Sequence, residues 1–278
     1  MTGGTFPAPA KLNLFLHVLG RRPDGYHRLQ TVFVFIDRAD SLRLEVRQDG
    51  AIHRRSDFSG VAERDDLCVR AARLLQEHTG CRLGVDIWLD KRIPLGGGLG
   101  GGSSDAATCL IALNRLWRIG LPRDELGRLG LELGADVPVF VYGRAAFADG
   151  VGEELQAVFV RPAWYVVLTP DVEVATRDVF AYPEIPRDTP AMRVDDWHAG
   201  AGHNDLEAAV ARRFPAVAES LAWLGQHGQA RMTGSGACVF APFESAVQAE
   251  AVFAARPPHL AGFVAGSLAR HPLLVEND

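Results

Sequence analysis

The chain is poor in the features that mark metal sites, disulfides and membrane spans. Its four cysteines, Cys68, Cys81, Cys109 and Cys238, form no C-x-x-C pair, and no histidine cluster stands beside them at ligand spacing. Three of them sit in apolar-periodic or strand-like settings. Reduced, partly buried thiols are therefore expected, not a disulfide framework or a zinc centre. No apolar run reaches the ~18 residues that a membrane-crossing helix needs. The first residues, Met-Thr-Gly-Gly-Thr-Phe-Pro, lack the basic-then-apolar plan of a secretory signal, so a cytoplasmic location is expected. An excess of positive charge is missing too: the net charge is −5, which argues against a nucleic-acid partner. No segment points to an obligate protein partner.

What is present is an ordinary globular balance. The 278 residues are 47% hydrophobic and 23% charged, enough for one large domain or two small ones with a sizeable core. Residues 11–19, 29–36 and 41–47 read as strands, the first closed by a turn signal at residues 20–25 and the last alternating apolar with polar. Residues 65–78 read as a helix and 84–89 as a strand. Residues 104–117 carry the strongest helical periodicity, with Ser103 or Ser104 placed to cap the start and Gly120 to end it. A further helix is expected over 123–133. The second half reads as strands at 165–169, 237–241 and 262–267, helices at 205–214, 216–227 and 245–255, and a three-proline loop at 183–190. Strands and helices mix without strict alternation, which indicates an α+β fold. A soft boundary near Leu155 divides the chain into residues 1–155 and 156–278.

The chemistry concentrates in one run: Pro94, Leu95, Gly96, Gly97, Gly98, Leu99, Gly100, Gly101, Gly102, Ser103 and Ser104. Glycine tolerates positive φ and puts no side chain between backbone and ligand, so successive N–H groups can converge on an anion. The helix that follows adds its positive end, and Ser103 and Ser104 add hydroxyls able to bond phosphate or Mg²⁺. The run joins a good strand to a good helix, which favours phosphate binding over a flexible linker. It is not a Walker loop, because no lysine follows it. A G-x-G-x-x-G match at Gly96, Gly98 and Gly101 is nearly automatic in so glycine-rich a run. The dinucleotide fold also needs a strand after the helix, where a second helix is expected.

The run resembles the phosphate loop of the galactokinase, homoserine kinase, mevalonate kinase and phosphomevalonate kinase (GHMP) superfamily. Three further segments narrow the likeness: Pro9-Ala-Lys-Leu-Asn-Leu14 with Arg22-Pro-Asp-Gly-Tyr-His27, Leu133-Gly-Ala-Asp-Val-Pro-Val-Phe140, and Thr233-Gly-Ser-Gly-Ala-Cys-Val-Phe240. In this order they resemble the branch that phosphorylates the 2-hydroxyl of 4-diphosphocytidyl-2-C-methyl-D-erythritol in the non-mevalonate isoprenoid pathway. The resemblance spans residues 9–243. It implies a two-domain fold with the active site in the inter-domain cleft, an ATP-binding first domain and a substrate-binding second one. It also implies ATP with Mg²⁺ as cofactors, the metal ligands being undetermined, and as partner only a small molecule carrying cytidine diphosphate.

Residue by residue, the resemblance makes Asp136 the base and Lys11 its cationic partner. From spacing alone, Asp136 reads as a helix cap and Lys11 as an outward strand lysine. Asn13 shares the strand face of Lys11. Tyr26, His27 and Phe180 match the cytosine site, where aromatic faces can clamp a pyrimidine; their bland reading is core packing for Tyr26 and Phe180 and a turn residue for His27. Lys91 precedes the loop and is expected to meet ATP phosphates or to solvate the strand end. Asp66 stands where the family often has Asn before Leu67, near the adenine, and a carboxylate there lacks the amide's donor. Residues 234–237 match a turn that closes on the cleft floor. Asp205 reads as a helix cap, and Asn204 beside it is open between capping and lining the substrate pocket.

Overall fold

The fold is known from a computed structural model that describes residues 2–23, 25–56, 61–198 and 200–274. Two long antiparallel strands organise it. β1 (Gly3–Arg21) runs beside β2 (His27–Arg47), with irregularities between Pro9 and Ala10, Asn13 and Leu16, and Val18 and Gly20. β2 is a single strand where two were expected. The join at residues 37–40 survives because Asp40, buried and polar, accepts the backbone N–H groups of Arg92 at 2.5 Å and Ile93 at 2.8 Å.

β2 then serves as the common partner of the sheet. Its C-terminal part pairs with β4 (Gly84–Asp90), which also pairs with the short parallel β3 (Ile52–Arg54). Its N-terminal part pairs with β5 (Ala146–Asp149), the first strand of a hairpin with β6 (Glu154–Ala157). Its centre, at Phe35 and Ile36, receives β10 (Gly262–Leu268). Through β10 the sheet continues to β7 (Trp164–Leu168), β9 (Val239–Phe243) and β8 (Arg231–Met232). The chain's last strand thereby links its two halves.

Helices α1 (Leu67–Thr79), α2 (Gly101–Leu116), α3 (Arg123–Leu133) and α4 (Val137–Tyr142) belong to the first half. Leu75, Leu110, Leu113 and Phe140 pack there against Phe35, Leu44 and Ile87 in one core. α5 (Thr176–Ala181), α6 (Glu207–Arg213), α7 (Pro215–Leu224) and α8 (Ala246–Ala254) belong to the second half. Val179, Val210, Val217 and Ala249 build a separate core there with Val166 and Val239. This is the expected α+β architecture. Cys68, Cys109 and Cys238 are buried and Cys81 is partly buried, and none is in a disulfide. Among the described residues, no helix is long and apolar enough to cross a membrane.

α2 departs from its expected start. It begins three residues earlier, at Gly101, with Gly100 at φ 70° as the residue before it and no side-chain cap. Ser103 and Ser104 are therefore first-turn residues and not caps. The helix also ends at Leu116, before Gly120.

Candidate active site

The glycine loop is anchored from both sides by backbone. The carbonyl of Leu99 accepts from Lys11 N–H on β1 at 3.0 Å. Gly96 and Gly97 accept from Ala237 and Cys238 at 3.3 and 3.2 Å, and Gly98 accepts from the Thr233 hydroxyl at 3.2 Å. The turn at residues 233–238 is thus the floor on which the loop rests. A side chain at Gly98 is excluded there, since its Cβ would lie 2.1 Å from the carbonyl oxygen of Thr233.

Loop, floor and strands enclose a cavity of about 430 Å³, lined by residues 94–103 together with Lys11, Asn13, Thr31, Leu67, Asp136, Thr176, Phe180 and Ser235. The amino end of α2, 16 residues long, opens into it. A helix of this length presents unpaired N–H groups and partial positive charge at that end, where phosphate binds well.

Beneath the loop, beside Gly100, Lys11 and Asp136 meet. Lys11 Nζ lies 3.2 Å from Asp136 Oδ2, with the lysine side chain 3% exposed and the aspartate 35%. Asp136 stands just before α4 but makes no side-chain cap hydrogen bond. Its carboxylate is free of the role that spacing alone suggested. Lys11 Nζ also donates to Asn13 Oδ1, so the two residues of the β1 face act together. Asn13 is fixed in turn: its Nδ2 donates to Thr31 Oγ1 at 2.9 Å and its backbone N–H to Thr233 Oγ1 at 3.0 Å.

A second cavity of about 900 Å³ adjoins the first, sharing Leu29, Ala135, Val151, Thr176 and Phe180 with it. It holds the base-clamp candidates. His27 stacks on Phe180 with ring centroids 4.9 Å apart and planes 21° apart. Tyr26 is 63% exposed at the rim of the same cavity. Asp24 of the same turn lies outside the described residues.

The chain matches the GHMP kinases N terminal domain over residues 66–144 and the GHMP kinases C terminal domain over residues 191–258. It is 61% identical over 96% of both chains to the 4-diphosphocytidyl-2-C-methyl-D-erythritol kinase of Thiobacillus denitrificans. It belongs to the 4-diphosphocytidyl-2-C-methyl-D-erythritol kinase family of GHMP kinases. The kinase of the same description from Dechloromonas aromatica is 58% identical, over 96% of this chain and 98% of its own. A crystal structure of 4-(cytidine 5'-diphospho)-2C-methyl-D-erythritol kinase superposes with a TM-score of 0.79 at 36% identity, covering 95% of this chain and 99% of that one. Homoserine kinase from Cytophaga hutchinsonii, at 16% identity and a TM-score of 0.66, shares the fold.

Three expected nucleotide contacts of this kinase point elsewhere. The Ser104 hydroxyl is fully buried and donates to the carbonyl of Pro9 at 2.6 Å, tying α2 to β1. Lys91 Nζ bridges Asp40 and Asp105, the latter at 2.7 Å, beneath the loop. Its charge lies beside the helix end, but two of its three donors are already engaged by carboxylates. Burial and the neighbouring Asp40 push the Asp105 carboxyl up to about 7, against the opposing pull of Lys91. Asp66 is the N-cap of α1, accepting from Cys68 and Val69 N–H at 2.8 and 3.2 Å, and pairs with Arg54 at 3.2 Å. Its neighbour Leu67, not Asp66, faces the cavity.

Asp205 is no helix cap. Its Oδ2 accepts from Val18 N–H at 2.6 Å and Thr189 Oγ1 at 2.7 Å, while Asn204 Oδ1 accepts from Leu206 N–H at 3.0 Å ahead of α6. Thr31 and Thr176 line the cavity unforeseen. Thr31 faces Asn13 across the β1–β2 pair, and Thr176 shares a 2.7 Å hydrogen bond with Ser235 of the floor. Thr31 lies in a run read only as a strand, and Thr176 opens a helix too short to show periodicity.

Proposed function

We propose that the kinase transfers the terminal phosphoryl group of ATP to the 2-hydroxyl of 4-diphosphocytidyl-2-C-methyl-D-erythritol, in the non-mevalonate route to isoprenoids. One observation carries this reading. A single continuous groove has the Lys11–Asp136 pair, 3.2 Å apart, under the glycine loop, and the His27–Phe180 stack at its other end. A substrate with a reactive polyol at one end and a pyrimidine at the other fits that separation of functions. Residues 1–155 form the ATP-binding part and residues 156–278 the substrate-binding part, with Tyr26 and His27 reaching across from the first.

Phosphoryl transfer asks the protein mostly for position and charge. The loop amides and the end of α2 hold the nucleotide's phosphates and take up charge on the moving group. Leu67 and Leu95 offer apolar faces to the adenine at the same rim. Asp136 accepts the proton of the attacking hydroxyl as the new bond forms. Lys11 orients that carboxylate and, from its buried position, offsets negative charge gathering between hydroxyl and phosphate. Asn13 and Thr31 keep the ammonium in place.

The donor set fits magnesium carried in with the nucleotide. No three His, Cys, Asp or Glu side chains converge on a metal position among the described residues, while Ser103 and Asp136 face the cavity. Ser103 would be its protein ligand, beside phosphate oxygens and water, which leaves Asp136 to the hydroxyl. When bound, magnesium neutralises phosphate charge and polarises the transferred group.

The test is a coupled ADP-release assay comparing the cytidylyl substrate with homoserine and mevalonate. Turnover confined to the cytidylyl substrate is expected. Equal or better turnover of either small acceptor would overturn the assignment.

A further inference from the structure

Arg187 has no part in the transfer described above, yet it touches both members of the aromatic stack. It sits in the loop between Pro183 and Pro190, which is clamped on each side. Ile185 is buried before it, and Thr189 after it bonds Val18 O at 3.2 Å and Asp205 Oδ2 at 2.7 Å. From this rigid mount its guanidinium spreads over the end of α5. Nη2 donates to the carbonyls of Phe180 at 3.1 Å and Tyr182 at 3.0 Å, and Nη1 to that of Ile185 at 3.0 Å. The remaining Nε–H donates to His27 Nε2 at 3.4 Å.

We propose that Arg187 is a positioning residue for base recognition: it locks Phe180 and His27 into one platform and dictates which ring nitrogen of His27 carries the proton. An arginine N–H can only donate, so Nε2 must be the bare acceptor and the neutral ring carries its proton on Nδ1. The same contact discourages a second proton. Burial first, then Arg187, then Arg21 hold His27 below its ordinary value. Among the described residues lining the same cavity, the charged and titratable groups are Arg21 at the end of β1, Tyr26 before the ring, Arg177 on α5 and Arg187 itself. An uncharged ring stacks on Phe180 without drawing water between the faces. The link from this platform to substrate rests on the cytidylyl reading; the link between Arg187 and His27 does not.

Two variants separate the charge of Arg187 from its fork. Arg187→Gln removes both, and Arg187→Lys keeps the charge while losing the planar spread of donors. Steady-state constants would be taken for each substrate from about pH 5.5 to about 8.5, a range that spans histidine titration. Nitrogen-15 NMR of the histidine rings in the full chain, assigned with His27→Gln, reports the His27 tautomer without substrate. The wild type should show His27 protonated at Nδ1. Arg187→Gln should lose that preference and raise KM for the cytidylyl substrate roughly tenfold, with kcat and KM for ATP within about twofold. The acid limb of its kcat/KM profile should move to higher pH, because a cation that suppressed protonation is gone. Arg187→Lys should keep the wild-type acid limb and still show the raised KM.

A wild-type His27 protonated at Nε2, or an Arg187→Gln enzyme with unchanged KM for the cytidylyl substrate, would overturn the proposal. Should the Gln variant fail to fold, the wild-type tautomer and the Lys variant still decide it. A correct tautomer in an enzyme that shows no preference for the cytidylyl substrate would sink the substrate reading alone.

Discussion

Replacing Lys11 with methionine isolates the role of its ammonium. Methionine keeps most of the alkyl chain's length and volume, so the packing beneath Gly100 survives. The charge does not. Two unit charges 3.2 Å apart interact by about 5 kcal/mol at an effective dielectric of about 20 and by about 1 kcal/mol in bulk water. The lysine is buried and the aspartate is 35% exposed, which places the pair between those limits, at about 2–4 kcal/mol. If that field acts on the charge that develops during transfer, kcat should fall between about thirtyfold and a thousandfold. The fold should hardly notice. Asp136 can rehydrate, and Asn13 stays fixed through the bond from its Nδ2 to Thr31 Oγ1 at 2.9 Å. A stability change within about 1 kcal/mol is expected. The assay is ADP release at saturating ATP and cytidylyl substrate, with thermal melting of the same preparation. A kcat within about threefold of wild type, in a protein with an unchanged melting curve, would refute the reasoning.

Asp136→Asn should lower kcat by on the order of a thousandfold with ATP affinity kept, as judged by equilibrium titration beside the turnover assay; near-normal turnover removes it as the base. Phe180→Ala should raise KM for the cytidylyl substrate more than KM for ATP, and equal changes would count against the stack as a base platform. Gly98→Ala puts a Cβ against the Thr233 carbonyl in a residue at φ 73°, which should cost about 2–4 kcal/mol in chemical denaturation; an unchanged midpoint would mean that loop and floor can part freely. Acid should weaken the fold through His271, which is buried, accepts from Leu273 N–H at 3.1 Å through Nδ1, and is pushed down to about 3 by burial and by Arg123 and Arg115. Because the unfolded chain takes up the proton first, stability is complete above the ordinary histidine value of 6.5 and drains as pH falls from there toward 3, by at most ~1.4 kcal/mol per pH unit. His271→Gln should flatten that slope in urea melts.

Local chemistry made much of this molecule readable from its sequence. The helix at Arg123–Leu133, the strand at Gly84–Asp90 and the glycine loop that follows that strand can be read from periodicity and glycine. What stayed hidden depends on partners distant in the chain. Spacing could not tell that Asp40 closes over the backbone of Arg92 and Ile93 and so lets β2 run unbroken. Asp66, Asp136 and Asp205 are all aspartates near helix starts, and spacing offered a cap for the last two only. Only the first caps its helix; the second turns to Lys11 and the third to β1. α5 escaped notice because six residues show no period, and with it went Thr176 and the carbonyls that Arg187 gathers.

The glycine loop carries a demand that phosphate binding alone does not explain. Bare backbone for phosphates explains why glycines cluster, but not which of them must be glycine. A Cβ at Gly100 would lie 3.0 Å from Lys11 Cε, and one at Gly101 would lie 3.2 Å from Lys91 Nζ. Lys11 and Lys91 are the only lysines in the chain, the rest of the 29 Lys and Arg residues being arginine. Each therefore passes beneath a loop glycine, where a slender ammonium chain fits and a planar guanidinium would be cramped. The loop thus has two faces with separate demands: the outer offers N–H groups to an anion, while the inner clears a passage for the two cations that stand behind it. Lys11→Arg should for this reason fail to rescue the loss seen with methionine, although it restores the charge. Turnover recovered to near the wild-type rate by that arginine would show that charge alone, and not the fit under Gly100, is what the site requires.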